Sequence, residues 1–386
     1  MALPGMKSTA DFATDERPKN WREGILLLEP RNKAPLAALT AAMPEQSTDD
    51  PEFNWWEEQV DVGQLVANGG ETNVATALTV DEFGLRLKAG DMLRVKSSGE
   101  AMRVTSITSD TEVNVSRGQA GTAAAVIADN DVILYLGSAY REGAGRPTGV
   151  SWNPVKKFNY TQIFRDAVEW TRTASKTRLR TGDMMKNDRR RALNKHMIGM
   201  ERAFIFGARF ETTESNQPLR YTGGLLAFID AANQVNHNGT LSLKQLEDYI
   251  DEIFAYGSNE KVCFCSLATM MKLNRLIRKN TDYQWGPTER EFTLIVKKFH
   301  TPGGTLILTE HPLFSQTGAE LGTDMLIVDT ENLKYRYITD TVLLKDRQDK
   351  GTDGTAEEYL TECGLEIWHP KTHFWLKNIT DGVVDA

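Results

Sequence analysis

The chain has 386 residues, of which 40% are hydrophobic and 25% charged, and these proportions exclude a largely disordered protein. It contains no apolar run of about 18 residues and no apolar core of a signal peptide near its N-terminus, so we expect synthesis and folding in the cytoplasm. A formal net charge of −8 argues against a dedicated nucleic-acid-binding protein.

Residues 1 to about 50 form an irregular opening that we predict to be an extended arm. Its apolar pieces, GILLLEP and APLAALTAAM, are bounded by proline and are too small to form a core. Such an arm gains order only by lying on the rest of the chain or on a neighbouring copy. In the following FNWWEEQVDVG, Trp55 and Trp56 would face opposite ways on a strand, so both faces of this strand need cover.

Between about residues 66 and 138 the pattern changes to short alternating β runs. The turn sequences KAGD, SSGE and TSDT separate them. We predict a small all-β module that is inserted into a longer excursion of the chain. The excursion returns through WNPVKKFNYTQIFRDAVEWTRTASK, which we predict to be a pair of strands.

The stretch from Gly182 to Arg209 predicts the longest helix of the chain. Its apolar residues recur at three-and-four spacing, and Thr181 is a candidate N-cap. At about 1.5 Å per residue the helix would span roughly 42 Å and would organise a domain around itself. Its second half is apolar nearly all round, which predicts burial. Its first half carries Lys186 and the run Arg189, Arg190 and Arg191, which indicates either a solvated face or a partner of opposite charge.

After the long helix the sequence predicts two more helices and a set of strands. Ser242 and Gln245 form a capping box before the second helix, and Ser266 caps the third. KVCFC lies between these helices as a strand, and a β-hairpin turns at Pro302–Gly304. Three or four strands end the chain, so the fold class is α+β.

The sequence predicts no catalytic, cofactor-binding or metal-binding residue. His369 and His373 have metal-like spacing only on a helix, and here they flank Pro370 between predicted strands. The Gly-rich pieces near Gly69 and Gly118 lack a P-loop ending and predict turns. Buried free thiols are the expected state of the three cysteines.

Three features of the sequence need partners: an extended arm, an excursion with adjacent tryptophans and a helix that is basic at one end. A compact monomer alone would not satisfy them. They are typical of a self-assembling shell subunit, because many copies of a few modest interfaces hold a shell together by symmetry.

The order of these parts resembles the major capsid protein of tailed bacteriophages with the Hong Kong 97-type fold, in the lineage typified by the SU-ten phage head protein. The resemblance covers nearly the whole chain. The sequences that carry it are REGILLLEPRNKAPLAALTAAM, GDMLRVKSSGEAMRVTSITSDTEVNVSRGQAGT, FNYTQIF, MERAFIFGAR, RYTGGLLAFI, LKYRYI and YLTECGLEIWHPKTHFWLKNI.

The resemblance implies a set of domains. We expect an N-terminal arm at residues 1–50 and an extended loop at 51–181, with the β module at about 66–138. The spine helix and peripheral domain are expected at 182–225, the axial domain at 226–325, and strands returning to the peripheral and axial domains at 326–386.

The resemblance also implies partners and an assembly. The chain would form hexamers and pentamers of an icosahedral virion shell around double-stranded DNA, which it would contact without sequence specificity. The extended loop of one subunit would lie over the spine helix of the next, with Trp55, Trp56 and Arg189–Arg191 as interface candidates. A separate scaffolding protein, a portal and a decoration protein are further expected partners. No cofactor and no membrane are expected. Because no long acidic helical leader precedes the arm, we expect no fused scaffold.

The sequence is compatible with two other functions and with several roles for the β module. An encapsulin-like compartment would use the same fold to enclose a cargo enzyme, and a soluble enzyme with an accessory β domain is an alternative of another class. The β module itself would clamp neighbouring capsomers, dock a decoration protein or bind host glycans.

Overall fold

The computed structural model describes residues 44–380 apart from 59–63, 82–85, 148, 152, 180–181, 280–284, 292–293 and 317–321. Most of the predicted arm therefore lies outside the described residues. The chain divides into two compact units, one of residues 56–157 and one formed by Phe158–Ala386 together with the residues up to Trp55. The predicted boundaries of the peripheral and axial domains stay predictions.

The elements alternate between strands and a few helices. The strands are β1 (Glu45–Ser47), β2 (Glu52–Glu57), β3 (Gln64–Val66), β4 (Ala77–Thr79), β5 (Asp91–Val95), β6 (Ala101–Ile107), β7 (Glu112–Gln119), β8 (Val132–Ser138), β9 (Val155–Tyr160), β10 (Gln162–Thr171), β11 (Phe210–Glu214), β12 (Gln217–Tyr221), β13 (Gln234–Thr240), β14 (Glu260–Cys265), β15 (Trp285–Glu291), β16 (Leu294–Thr301), β17 (Gly304–Glu310), β18 (Met325–Val328), β19 (Leu333–Leu344), β20 (Gly354–Ile367) and β21 (Phe374–Thr380). The helices are α1 (Arg172–Lys176), α2 (Met184–Phe206), α3 (Leu225–Phe228), α4 (Leu243–Phe254), α5 (Leu267–Lys279) and α6 (Pro312–Gln316).

The long helix predicted from the sequence is confirmed as α2, which has 23 residues and spans about 35 Å. Its N-cap is Asp183, whose side chain accepts a hydrogen bond from the Lys186 amide, so the predicted cap at Thr181 is wrong. Asp is a strong N-cap because its carboxylate satisfies an amide that has no partner within the helix. The helix ends at Phe206, three residues before the predicted end at Arg209, with Gly207 as its C-cap, because the chain turns there to begin a hairpin.

The end of α2 packs tightly against the loop that precedes α3. The Gly224 amide donates to the Gly207 carbonyl at 2.7 Å, and a Cβ at Gly207 would collide with the Thr222 carbonyl. The buried Asn159 side chain fixes the same loop, since it donates to the Gly223 carbonyl and accepts from the Gly223 amide. Gly224 of RYTGG is also required by close backbone approach, since a Cβ there would lie 2.7 Å from the Ala203 carbonyl oxygen.

A four-stranded sheet in the order β1-β19-β20-β10 carries α2 on one face. Along β10 the side chains alternate between exposed and at least partly buried positions, as expected for a strand with one solvent face. β1 joins the edge of this sheet in parallel with β19, with Gln46 opposite Arg336. The sheet thus collects strands from the start, the middle and the end of the chain.

A seven-stranded mixed sheet in the order β13-β21-β18-β14-β17-β16-β15 forms the other large layer. Its two faces belong to two hydrophobic clusters: Val262 and Phe264 of β14 face the core that contains α2, while Cys263 and Cys265 face the core that contains α4. Because both faces are covered, β14 reads as a nearly continuous apolar run. The predicted capping box of α4 and the predicted hairpin between β16 and β17 are confirmed.

The unit of residues 56–157 contains a six-stranded antiparallel sheet in the order β3-β8-β5-β6-β7-β4. An isolated bridge between Ala67 and Val80 joins the two outer strands, so the sheet closes on itself as a small barrel. Its interior holds apolar side chains from every strand, among them Leu65, Leu93 and Val113. The all-β character predicted for this stretch is confirmed.

Two ribbons of two strands complete the fold. β2 pairs with β9, and β11 pairs with β12 as a hairpin that begins at Phe210. An isolated two-stranded ribbon is only marginally stable in water. The β2–β9 ribbon packs within its subunit through the buried Phe53 and Trp55, whereas no side chain of the β11–β12 hairpin is buried.

Candidate assembly surfaces

The two adjacent tryptophans of β2 face opposite ways, as the sequence predicts, but only one of the two faces is covered within the subunit. Trp55 is buried, with its ring 6.2 Å from Phe53 and 6.0 Å from Phe228 of α3. Trp56 is 66% exposed. Of the two interface candidates, Trp55 is therefore packed within its own subunit, whereas the Trp56 side chain is mostly exposed.

A second aromatic surface lies on the β11–β12 hairpin. Phe210 and Tyr221 stand opposite each other on the two strands, with ring centroids 6.4 Å apart, and both side chains are exposed. The neighbouring Arg209 guanidinium lies 4.0 Å from the Phe158 ring and donates to the Phe158 carbonyl at 2.8 Å. Sequence reasoning missed this surface because Phe210 directly follows the helical pattern of GMERAFIFGAR.

The basic half of α2 is divided between the fold and the solvent. Arg189 forms a bidentate ion pair with the buried Glu357 of β20, at 2.5 and 2.6 Å, and hydrogen bonding to Glu357 raises the pKa of Arg189. Arg190 is exposed, and Arg191 is exposed with a weak contact to Asp188 at 3.4 Å. Only two of the three candidate arginines are therefore on the free surface of the subunit, because Arg189 already has an acidic partner in its own chain.

The buried half of α2 carries polar groups that its apolar pattern did not reveal. His196 is buried between α2 and the four-stranded sheet. Its Nδ1 atom lies 3.1 Å from Asp166 Oδ2, and its Nε2 atom lies 2.8 Å from Thr361 Oγ1. These two contacts hold α2 in a defined register on β10 and β20.

The face of the four-stranded sheet that carries Arg165 and Ile163 combines ion pairs with exposed apolar groups. Glu358 of β20 is buried under Arg165 of β10, and Glu366 is buried under Arg336 of β19. Ile163 is 58% exposed beside them. A face with paired charges and uncovered apolar side chains is typical of the rim and core of a protein interface.

No cluster of three or more His, Cys, Asp or Glu side chains is placed to hold a metal ion in the described ranges. The three cysteines are free and buried. Burial raises the pKa of the Cys363 thiol to about 12, so this thiol stays protonated at neutral pH. No helix within the described part of the chain is long and apolar enough to span a membrane.

The helix α2, the two sheets around it and the inserted barrel define a capsid protein of the Hong Kong 97-type fold. The capsid of an empty GTA particle has this fold, with a TM-score of 0.53, 10% identity and coverage of 97% of this chain and 100% of that chain. A structure from Mycobacterium phage Cain is similar, with a TM-score of 0.51, 10% identity and coverage of 94% and 92%.

At the level of sequence the assignment is more specific. The chain belongs to the SU10 major capsid protein family, whose model matches residues 6–380. It is 28% identical over 334 residues to the major capsid protein of Pseudomonas phage PaMx41, covering 83% of this chain and 78% of that protein. The resemblance seen in the sequence is confirmed.

Proposed function

We propose that this chain self-assembles into hexamers and pentamers that build the closed icosahedral shell of a tailed-phage head. Membership of a major capsid protein family over residues 6–380 carries this proposal. The subunit supports it with uncovered aromatic side chains at Trp56, Phe210 and Tyr221, which a shell would bury between copies. The protein then acts as a structural component and not as an enzyme.

The proposed contacts follow the extended loop. The loop of one subunit lies over the spine helix α2 and the four-stranded sheet of the next, and Trp56 enters the contact. Burial of one tryptophan contributes about 2 to 3 kcal/mol, whereas an exposed ion pair contributes roughly 0 to 1 kcal/mol. Trp56 therefore supplies affinity, while Arg190 and Arg191 set the register of the docked subunits.

The proposed content of the shell is double-stranded DNA, held without sequence recognition. The net charge of −8 supports this, since a strongly basic wall would bind phosphates tightly and hinder packaging and release. A separate scaffolding protein, a portal and a decoration protein are proposed as further partners, with assembly in the host cytoplasm.

Electron microscopy of the purified recombinant chain tests the assembly. We expect capsomers or closed shells. A species that stays monomeric in light scattering under all assembly conditions would contradict the proposal. Particles isolated from infected cells should contain DNA, and a protein cargo in place of nucleic acid would instead indicate an encapsulin-like compartment.

A further inference from the structure

A buried ion pair links the strands of the inserted barrel at one end. The Arg117 guanidinium donates to both carboxylate oxygens of Glu100 at 2.7 Å, and the exposures of the two side chains are 8% and 0%. Burial alone would disfavour the carboxylate, but hydrogen bonds from Arg117, Ala125 and Gly118 outweigh it and lower the pKa of Glu100. Glu100 is therefore ionised at neutral pH.

The same pair holds two loops together. Arg117 also donates to the carbonyls of Thr72 and Ala75 in one loop and to the Ala125 carbonyl in the other, while Glu100 accepts from the Ala125 amide at 2.9 Å. A backbone bridge between Glu71 and Ile127 joins the two loops at their base. Within the described part of the chain, the hydrogen bonds donated by the Arg117 guanidinium end on Glu100 or on a carbonyl of one of these two loops.

These two loops present exposed apolar side chains to solvent. Val74 is 79% exposed and Val126 is 67% exposed, which places them among the most exposed large apolar side chains in the described part of the chain. Small residues of the sequence TAAAV accompany Val126. We call Val74, Val126 and the loops that carry them the barrel tip.

A buried ion pair contributes little net stability, because desolvation offsets most of the attraction between the charges. Its effect here is to hold two exposed apolar loops in one arrangement. Pre-organisation of this kind lowers the entropy that a contact must overcome, so it favours binding without adding area. The barrel tip is therefore a binding surface that is pre-organised in the free subunit.

The size of the tip decides between partners. Two valines and a few alanines cannot supply the roughly 1,200 Å² that a stable complex between separate proteins usually buries. Copies of one chain that are already joined in a shell meet at a high effective concentration, so a small patch is sufficient between them. We propose that the barrel tip contacts a second copy of this chain in the assembled shell. This inference rests on the proposed function.

Thiol labelling tests the contact, because the three native cysteines are buried. Val126→Cys would be labelled with a maleimide in dissociated subunits and in shells whose only protein is this chain. We expect labelling to slow by about tenfold or more in shells, as for any site that reacts only on local opening. Ser109→Cys, in an exposed turn of the same barrel, is the control and should react at similar rates in both states.

The possible results separate the hypotheses. If the wild-type chain forms no shells, the proposed function fails. If shells form but Val126→Cys reacts in them as fast as in subunits, only the inference about the barrel tip fails. Equal protection of Ser109→Cys, or protection of Val126→Cys only when another virion protein is present, would also overturn a contact between copies at the tip.

A second readout uses charge in place of labelling. The double variant Val74→Asp with Val126→Asp should leave unfolding of the dissociated subunit unchanged and lower the temperature at which shells break apart. Ser109→Asp should leave both unchanged. Shells of the double variant that break apart at the wild-type temperature would contradict the proposal.

Discussion

His311 Nε2 lies 2.7 Å from Glu201 Oε1, and both side chains are fully buried. Glu201 belongs to α2, whereas His311 directly follows β17 of the seven-stranded sheet. The Leu313 amide donates to His311 Nδ1 at 3.2 Å, so the ring carries its proton on Nε2 and donates it to Glu201. This contact ties the spine helix to the large sheet through a buried polar bond.

Glu201→Leu should lower the free energy of unfolding of the subunit by about 2 to 3 kcal/mol, because it leaves a buried histidine donor without its acceptor. Glu201→Gln keeps a carbonyl oxygen at the same place and should cost less than about 1 kcal/mol. Denaturant unfolding of the dissociated subunit measures both. Equal decreases in the free energy of unfolding of the two variants would show that the hydrogen bond to His311 does not stabilise the subunit.

Lys261 is buried in β14, and its ammonium donates to the carbonyls of Ile253, Tyr256 and Thr372, each at 2.7 Å. The first two carbonyls lie at the C-terminal end of α4, where helix carbonyls lack partners. Lys261→Met should therefore lower subunit stability by about 3 kcal/mol or more, since two buried carbonyls and one part-buried carbonyl lose their donor.

Lys244→Met on the exposed face of α4 is the matched control for Lys261, and it should change stability by less than about 0.5 kcal/mol. Thermal and denaturant unfolding would report both variants. A loss at Lys261 no larger than that at Lys244 would refute its role in holding the end of α4.

His373 predicts a pH dependence of stability. Its side chain is buried, its Nδ1 atom accepts from the Asp329 amide at 3.2 Å, and burial lowers its pKa to about 4. The unfolded chain, with a histidine pKa of about 6.5, then binds the proton more tightly than the folded chain. Stability should fall as pH drops from about 6.5 to about 4, by at most about 3 kcal/mol from this group.

The pH dependence is measured as the free energy of unfolding of subunits between pH 4 and pH 7, a window set by the pKa of His373. His373→Gln should flatten the slope in this window, whereas His300→Gln, at an exposed position, should leave it unchanged. An identical slope in wild type and His373→Gln would exclude His373 as the source.

Substitution of Trp55 should affect folding of the subunit, whereas substitution of Trp56 should affect assembly. Trp55→Ser removes a buried ring that lies against Phe53 and Phe228 and should cost the subunit about 3 to 5 kcal/mol. Trp56→Ser should leave subunit unfolding within about 0.5 kcal/mol of wild type and reduce the yield of shells. Normal shell yield from Trp56→Ser would rule out the proposed loop contact.

Substitutions of the arginines of α2 should also separate an effect on folding from an effect on assembly. Arg189→Met leaves Glu357 buried without its cation and should destabilise the subunit by about 3 kcal/mol or more. Arg190→Glu with Arg191→Glu should spare the fold and alter assembly, with an effect that weakens as salt is added. Sedimentation of shells at low and high salt measures this, and an effect on folding alone would contradict an interface role.

The sequence by itself determined the α+β class, the long helix, the all-β module and the family. The reason is that apolar periodicity and turn residues are local signals, which a single segment carries wherever the chain places it. The opposite directions of the Trp55 and Trp56 side chains were predictable too, because side chains alternate along any strand.

Only the tertiary structure decided which of the predicted interface residues remain exposed on the surface of the subunit. Arg189, Arg190 and Arg191 are alike in sequence, but β20 brings Glu357 to Arg189 from far along the chain. The buried polar bonds of His196 and Glu201, the closure of the barrel through Ala67 and Val80, and the pairing of Arg117 with Glu100 depend on distant segments as well. Such contacts leave no periodic pattern, because each needs two segments to meet.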